Sequence, residues 1–159
     1  MAPTFLADGM LGSLARKLRL YGYDVEYHPD MPDSELISRC VAEKRTLLTS
    51  DRELGRRATA KGLPCVLVTQ RGDPAMVVEV FRALGLAPPM DVSSSRCPLC
   101  GGELANLAAN QAKGLVPAGV LRRQKRFYRC VSCQHVYWEG SHWFRLSRFD
   151  DQVKKALGK

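Results

Sequence analysis

Four short apolar runs, TFLA (4–7), DVEY (24–27), TLLT (46–49) and CVLV (65–68), each lead within a few residues into a stretch whose apolar side chains recur at helical spacing. Leu11, Leu14, Ala15 and Leu18 follow the first run and end near Gly22, and Leu36, Ile37, Cys40 and Val41 follow the second from about Asp33. Helices over about 52–60 and 74–84 follow the third and fourth. Strands joined by helices in this way run parallel, because each connection must cross back over the sheet. The expectation is an α/β fold with a parallel sheet flanked by helices, over residues 1–86.

The stretch GLAPPMDVSSS (85–95) holds two prolines and three serines without an apolar period, so residues 87–95 read as a linker. Beyond it stand two CxxC pairs, Cys97 with Cys100 and Cys130 with Cys133, 29 residues apart. No basic segment leads into an apolar one at the N terminus, so a secreted disulfide framework is not expected and metal ligation is. Four cysteines in two tight turns suit a structural Zn²⁺ ion in a zinc ribbon. That ligand set is complete without His135, which is expected to be structural. Trp143, Phe144, Leu146, Phe149, Val153 and Leu157 suit a terminal helix, so residues 96–159 are read as a zinc ribbon with a C-terminal helix. The lone Cys40 and Cys65 are expected to be small buried hydrophobes.

The chain carries 24 Lys and Arg against 16 Asp and Glu, a formal charge of +8. Residues 1–90 hold 12 basic and 11 acidic residues, whereas residues 91–159 hold 12 and 5, so +7 of the excess lies in the second half. Much of it falls in LRRQKRFYR (121–129), where Arg122, Arg123, Lys125 and Arg126 stand beside Phe127 and Tyr128. Cations for phosphates and aromatics for bases are what a single-stranded nucleic acid needs, and these six residues are the expected contacts. No apolar run approaches the ~20 residues of a membrane span, so a soluble, cytoplasmic protein with no membrane partner is expected. Neither GxxxxGK[ST] nor GxGxxG occurs, which argues against a nucleotide cofactor.

Ligands of open parallel sheets bind beyond the carboxyl ends of the strands. Asp8 follows the first strand directly, Asp51 follows the third, and Asp33 opens the helix after the second. Each suits another task, since Asp33 and Asp51 fit helix N-caps. Together they make a candidate oxygen-donor site for Mg²⁺ or Mn²⁺, with Asp30 and Glu35 as possible auxiliaries. Asp73, just before Pro74, is expected to be structural as an N-cap.

The run from Asp33 to Val68, with its helix-opening Asp and its Thr49-Ser50-Asp51, resembles the second half of a PIN-domain nuclease. The opening FLADGMLGSLARKLRLYGYDVEY (5–27) is similar to the short PIN-like ribonuclease domain found at the C terminus of Mut-seven exonucleases and in small prokaryotic proteins with a zinc ribbon. That resemblance implies a metal-dependent endoribonuclease in which Asp8, Asp33 and Asp51 hold Mg²⁺ or Mn²⁺ and a metal-bound water attacks phosphorus. One departure stands out. Ordinary PIN domains carry a further acid on a helix between the first two, and residues 9–29 offer only Asp24 and Glu26, both in the predicted second strand. The alternative is a non-catalytic RNA-binding or ribosome-associated adaptor whose acids cap helices.

Overall fold

In the computed structural model, which describes residues 2–158 apart from the side chains of Ser141 and His142, the four runs become β1 (Phe5–Ala7), β2 (Val25–Tyr27), β3 (Thr46–Thr49) and β4 (Cys65–Leu67). They pair in parallel in the order β2-β1-β3-β4. Between them lie α1 (Gly12–Leu20), α2 (Asp33–Glu43) and α3 (Arg52–Ala60), and α4 (Asp73–Leu84) follows β4. This is the α/β architecture expected, a parallel sheet flanked by helices and consistent with a PIN-like fold.

Strand alternation divides the apolar side chains between two cores. Phe5, Ala7, Leu48 and Val66 meet Leu14 and Leu18 of α1 and Val77 and Phe81 of α4 on one face. Leu6 and Leu47 meet Leu36, Ile37 and Cys40 of α2 and Leu54 and Ala58 of α3 on the other. The chain therefore leaves β1 toward the first face and leaves its neighbour β3 toward the second. Two connections parting in opposite directions open a crevice between the ends of adjacent strands. Cys40 is fully buried as expected, and burial pushes its thiol up to about 11.

Helix starts differ from expectation at two of three positions. Asp51 caps α3, accepting from the Glu53 and Leu54 amides. Asp33 and Asp73 are instead the first residues of their helices, and Pro32 and Gly72 occupy the cap positions. The Pro32 carbonyl already accepts from the Glu35 and Leu36 amides, so α2 begins without a side-chain cap. A carboxylate in the first turn still complements the helix dipole.

The second half forms a three-stranded antiparallel sheet of β5 (Leu104–Leu107), β6 (Phe127–Cys130) and β7 (Val136–Trp138) in the order β5-β6-β7. Two short helices, α5 (Ala109–Ala112) and α6 (Ala118–Arg123), fill the connection from β5 to β6. The C-terminal helix α7 (Ser141–Ala156) turns back onto the first core, where Val153 is buried and Phe149 and Leu157 pack. Tyr21 of α1 donates to Asp150 of α7 at 2.7 Å, and the Tyr21 ring meets Phe81 edge-on at 5.1 Å. Among the described residues no helix is long and apolar enough to cross a membrane.

Within residues 85–95, Leu86 and Met90 lie against the first core, and the Ser95 hydroxyl donates to the Leu20 carbonyl at 2.6 Å. Next to them, the buried Arg19 joins the two sheets. Its Nε and Nη2 donate to the Val25 carbonyl of β2 at 3.0 and 2.8 Å, and its Nη1 donates to the Pro98 carbonyl at 3.0 Å. Gly101, at φ +82°, makes room, since a Cβ there would lie 3.0 Å from Arg19 Nε. Burial lowers the Arg19 pKa, and the neighbouring Cys100 and Cys97 oppose that shift. Replacing Arg19 with Met should remove this charged bridge and cost about 2 kcal/mol of stability. Denaturant unfolding checks this, and an unchanged midpoint would contradict the bridging role.

Candidate catalytic edge and metal centre

The crevice between β1 and β3 holds two of the three expected acids. The Asp8 amide donates to the Leu48 carbonyl at 2.9 Å, which sets Asp8 beside the end of β3. There the fully buried Thr49 uses one hydroxyl twice. Its Oγ1 donates to Asp8 Oδ2 at 2.9 Å and accepts from the Asp51 amide at 3.0 Å. Asp8 Oδ1 accepts from the Gly9 amide at 2.6 Å. Asp51 Oδ1 takes the two capping amides of α3 at 2.9 and 3.2 Å, and its Oδ2 accepts no hydrogen bond among the described residues. Asp8 is half-buried and Asp51 exposed, so both carboxylates are fixed by bonds yet reachable.

Asp33 is held elsewhere, with its Oδ2 3.7 Å from Arg57 of α3. Asp30 and Glu35 are exposed, in the turn before α2 and in its first turn. Neither Asp24 nor Glu26 supplies the missing acid, because both are engaged by arginines. Arg45 grips both oxygens of Asp24 at 3.1 and 3.2 Å, while Arg39 and His28 bond Glu26 at 2.7 and 3.1 Å. Burial works to raise the Glu26 pKa, and its bonds with Arg39 and His28 outweigh that and hold it below the usual range. Asp73 lies at the start of α4 and is bound to α1, its carboxylate oxygens 2.5 Å from the Ser13 hydroxyl and 3.9 Å from Lys17. Thr49 was legible in Thr49-Ser50-Asp51 only as part of a motif. A hydroxyl ending the apolar strand TLLT is the signal for its bridging role.

Among the described residues, one group of three or more His, Cys, Asp or Glu brings its ligand atoms within 4.8 Å of one another: Cys97, Cys100, Cys130 and Cys133. Four sulfurs bound to one zinc at about 2.3 Å would stand about 3.8 Å apart. Cys97 and Cys133 are at 3.7 Å, and Cys100 and Cys130 at 3.4 Å. Each CxxC pair sits in a turn of the same kind. The Cys97 amide donates to the Gly102 carbonyl and Gly101 back to Cys97, at 2.8 and 2.7 Å. Cys130 repeats this with His135 and Gln134 at 2.9 and 3.0 Å. The residue after each CxxC, Gly101 or Gln134, takes a left-handed conformation at φ +82° or +68°.

Backbone amides point at Cys100 and Cys130. The Gly102 amide donates to Cys100, the Ser132 and Cys133 amides donate to Cys130, and the Tyr137 hydroxyl lies 2.9 Å from Cys97 Sγ. Burial works to raise the Cys130 pKa, but the amides of Cys133 and Ser132 bring it down to about 7. Cys100 is pushed up to about 12 by burial and by its thiol neighbours. Crowding thus permits one thiolate readily and resists the next, a conflict that a divalent cation removes. The donor set therefore fits zinc. His135 lies outside it, exposed, with its ring 4.6 Å from Tyr137.

The expected nucleic-acid contacts divide into two groups. Arg122 and Arg123 in the last turn of α6, and Lys125 and Arg126 after it, are exposed. Phe127 and Tyr128 are 1% and 7% exposed within β6, so their rings are unavailable for base stacking. The reason is the pairing of β6 between β5 and β7, which makes these aromatics the interior of the small sheet.

The family model of the Mut7-C RNAse domain matches residues 3–150 of the chain. No curated protein and no solved structure matches it at a significant level. On the geometry of the four sulfurs, the purified chain should hold about one zinc ion, and Cys97→Ser or Cys130→Ser should lose it. Elemental analysis with thermal unfolding in EDTA checks this. A folded, zinc-free chain whose melting ignores the chelator would contradict it.

Proposed function

The chain belongs to the Mut7-C RNase domain family, and from that membership we propose that it is an endoribonuclease dependent on Mg²⁺ or Mn²⁺ that cleaves single-stranded RNA. In this reading residues 1–86 are the nuclease domain, residues 87–95 the linker, and residues 96–159 the zinc ribbon with its C-terminal helix. The observation that carries the proposal is the pair of acids on neighbouring strand ends, with the buried Thr49 hydroxyl bonding the Asp8 carboxylate and the Asp51 amide.

Asp8 and Asp51 would hold the divalent ion, being oxygen donors of the kind Mg²⁺ and Mn²⁺ take. Asp33 would join them on leaving Arg57, and the exposed Asp30 and Glu35 would serve as auxiliaries. When bound, such an ion supplies an activated water and neutralises charge on the phosphate. Thr49 orients the Asp8 carboxylate, and the capping bonds of Asp51 fix one oxygen while leaving the other for ligation. In the hydrolysis the water oxygen adds to phosphorus, the bond from phosphorus to O3′ breaks, and a proton of the water ends on O3′. The products carry 5′-phosphate and 3′-hydroxyl ends. Arg122, Arg123, Lys125 and Arg126 of the ribbon would hold the strand by its phosphates.

Cleavage of end-labelled single-stranded RNA tests the proposal. Mn²⁺ should support cleavage and EDTA stop it, and Asp8→Asn or Asp51→Asn should abolish it. Thr49→Val should lower the rate about 10- to 100-fold, the range for a residue that orients a ligand. Replacing the four ribbon cations with Gln should raise KM and leave kcat. Cleavage indifferent to the Asp substitutions would contradict the catalytic assignment, and tight RNA binding without cleavage would identify an adaptor.

A further inference from the structure

Two exposed side chains closely follow the two acids in the chain, Met10 after Asp8 and Arg52 after Asp51. Met10, two residues after Asp8, is 79% exposed, while Leu11 beside it is 4% exposed. Its turn is fixed. The Leu11 amide donates to the Asp8 carbonyl at 2.9 Å, the Tyr27 hydroxyl donates to the Gly9 carbonyl at 2.7 Å, and a Cβ on Gly9 would lie 2.6 Å from the Pro29 carbonyl oxygen. Met10 is thus an apolar side chain carried into solvent on a rigid turn. Arg52, directly after Asp51, places a cation in the first position of α3, where the helix dipole disfavours one. Its neighbours on the helix are paired, Arg56 with Glu53 at 3.3 Å and Arg57 with Asp33 at 3.7 Å. Among the described residues Arg52 has no carboxylate within 4.0 Å. Local choices that oppose folding are expected where function requires them.

β1 and β3 are adjacent, with Ala7 opposite Leu48, so the turn bearing Met10 and the start of α3 bearing Arg52 follow neighbouring strand ends, as Asp8 and Asp51 do. We propose that Met10 and Arg52 form a nucleotide subsite, Met10 packing on the face of an unstacked nucleobase and Arg52 pairing with a backbone phosphate. This rests on the ribonuclease reading and adds to it a cause of substrate selection. A thioether against a base face reads no hydrogen-bonding edge, so any base is accepted. A base within a duplex has its faces covered by stacking, so the subsite selects single strands.

The test uses the full chain with Asp8→Asn, so that the RNA stays intact, and a fluorescein-labelled single strand of about 12 nucleotides. Fluorescence anisotropy should show Met10→Ala binding about fivefold weaker, with Met10→Leu within about twofold of the parent. Abasic substitution at one position of the RNA should erase the difference between Met10→Ala and its parent, while leaving the effect of Arg52→Gln in full. Arg52→Gln should lower the slope of log affinity against log salt by about 0.7, and Met10→Ala should leave the slope unchanged. Neither substitution should lower the unfolding midpoint.

Loss of affinity from Met10→Ala that persists at every abasic position, an unchanged salt slope in Arg52→Gln, or a fall in the midpoint with either would overturn the subsite. Absence of cleavage by the unsubstituted chain in Mn²⁺, with these binding signatures present, would remove the nuclease reading alone. Cleavage without the signatures would remove the subsite alone.

Discussion

A single buried hydroxyl, that of Thr49, fixes the relation between the two strand ends at which the chain reverses the face it winds over. Parallel pairing of β1 with β3 brings those ends together, and the opposed departures of α1 and α3 leave a crevice between them. A hydroxyl buried there must find partners, because an unsatisfied one would cost on the order of 1–3 kcal/mol. It finds the Asp8 carboxylate and the Asp51 amide. The same bonds therefore join the Asp8 carboxylate to the backbone of Asp51, whose own carboxylate is held by the first amides of α3.

The second half of the chain depends on a different constraint. Four cysteines in two turns with the same backbone bonding converge where the described residues form no apolar core of comparable size, and a metal ion bound there would supply the cohesion. Arg19 carries that order across to the first sheet, reaching from the last turns of α1 to β2 and to the first cysteine turn. α1 starts four residues after Asp8 and carries Arg19 in its last turn, so one helix connects the acidic edge to the cysteine site. The separation of charge follows the same division, with acids set in a near-neutral half and +7 in the half that holds the cysteines.

Much of this was legible in the sequence because the signals were local. TLLT became β3 residue for residue, and the helix over 52–60 became α3 with Asp51 as its cap. The cysteines converged because CxxC spacing determines a turn by itself. What the sequence hid was set by tertiary contact. Phe127 and Tyr128 read as exposed aromatics beside cations, but strand pairing buried them. Nothing local showed that Arg57 would reach Asp33 or that Asp73 would bond Ser13, and the apolar side chains of α7, which suit packing on a core, did not say that it would be the first. The short α5 and α6 lack the apolar period from which longer helices are read.

Asp8 and Asp51, at the adjacent ends of β1 and β3, are the acids proposed to hold a divalent cation. Diffraction from crystals soaked in Mn²⁺ tests this most directly, through the anomalous signal of the ion. The expected result is a peak at Asp8 and Asp51 that disappears in Asp8→Asn crystals. A Mn²⁺ peak elsewhere on the molecule, or one between those carboxylates that survives the substitution, would contradict it.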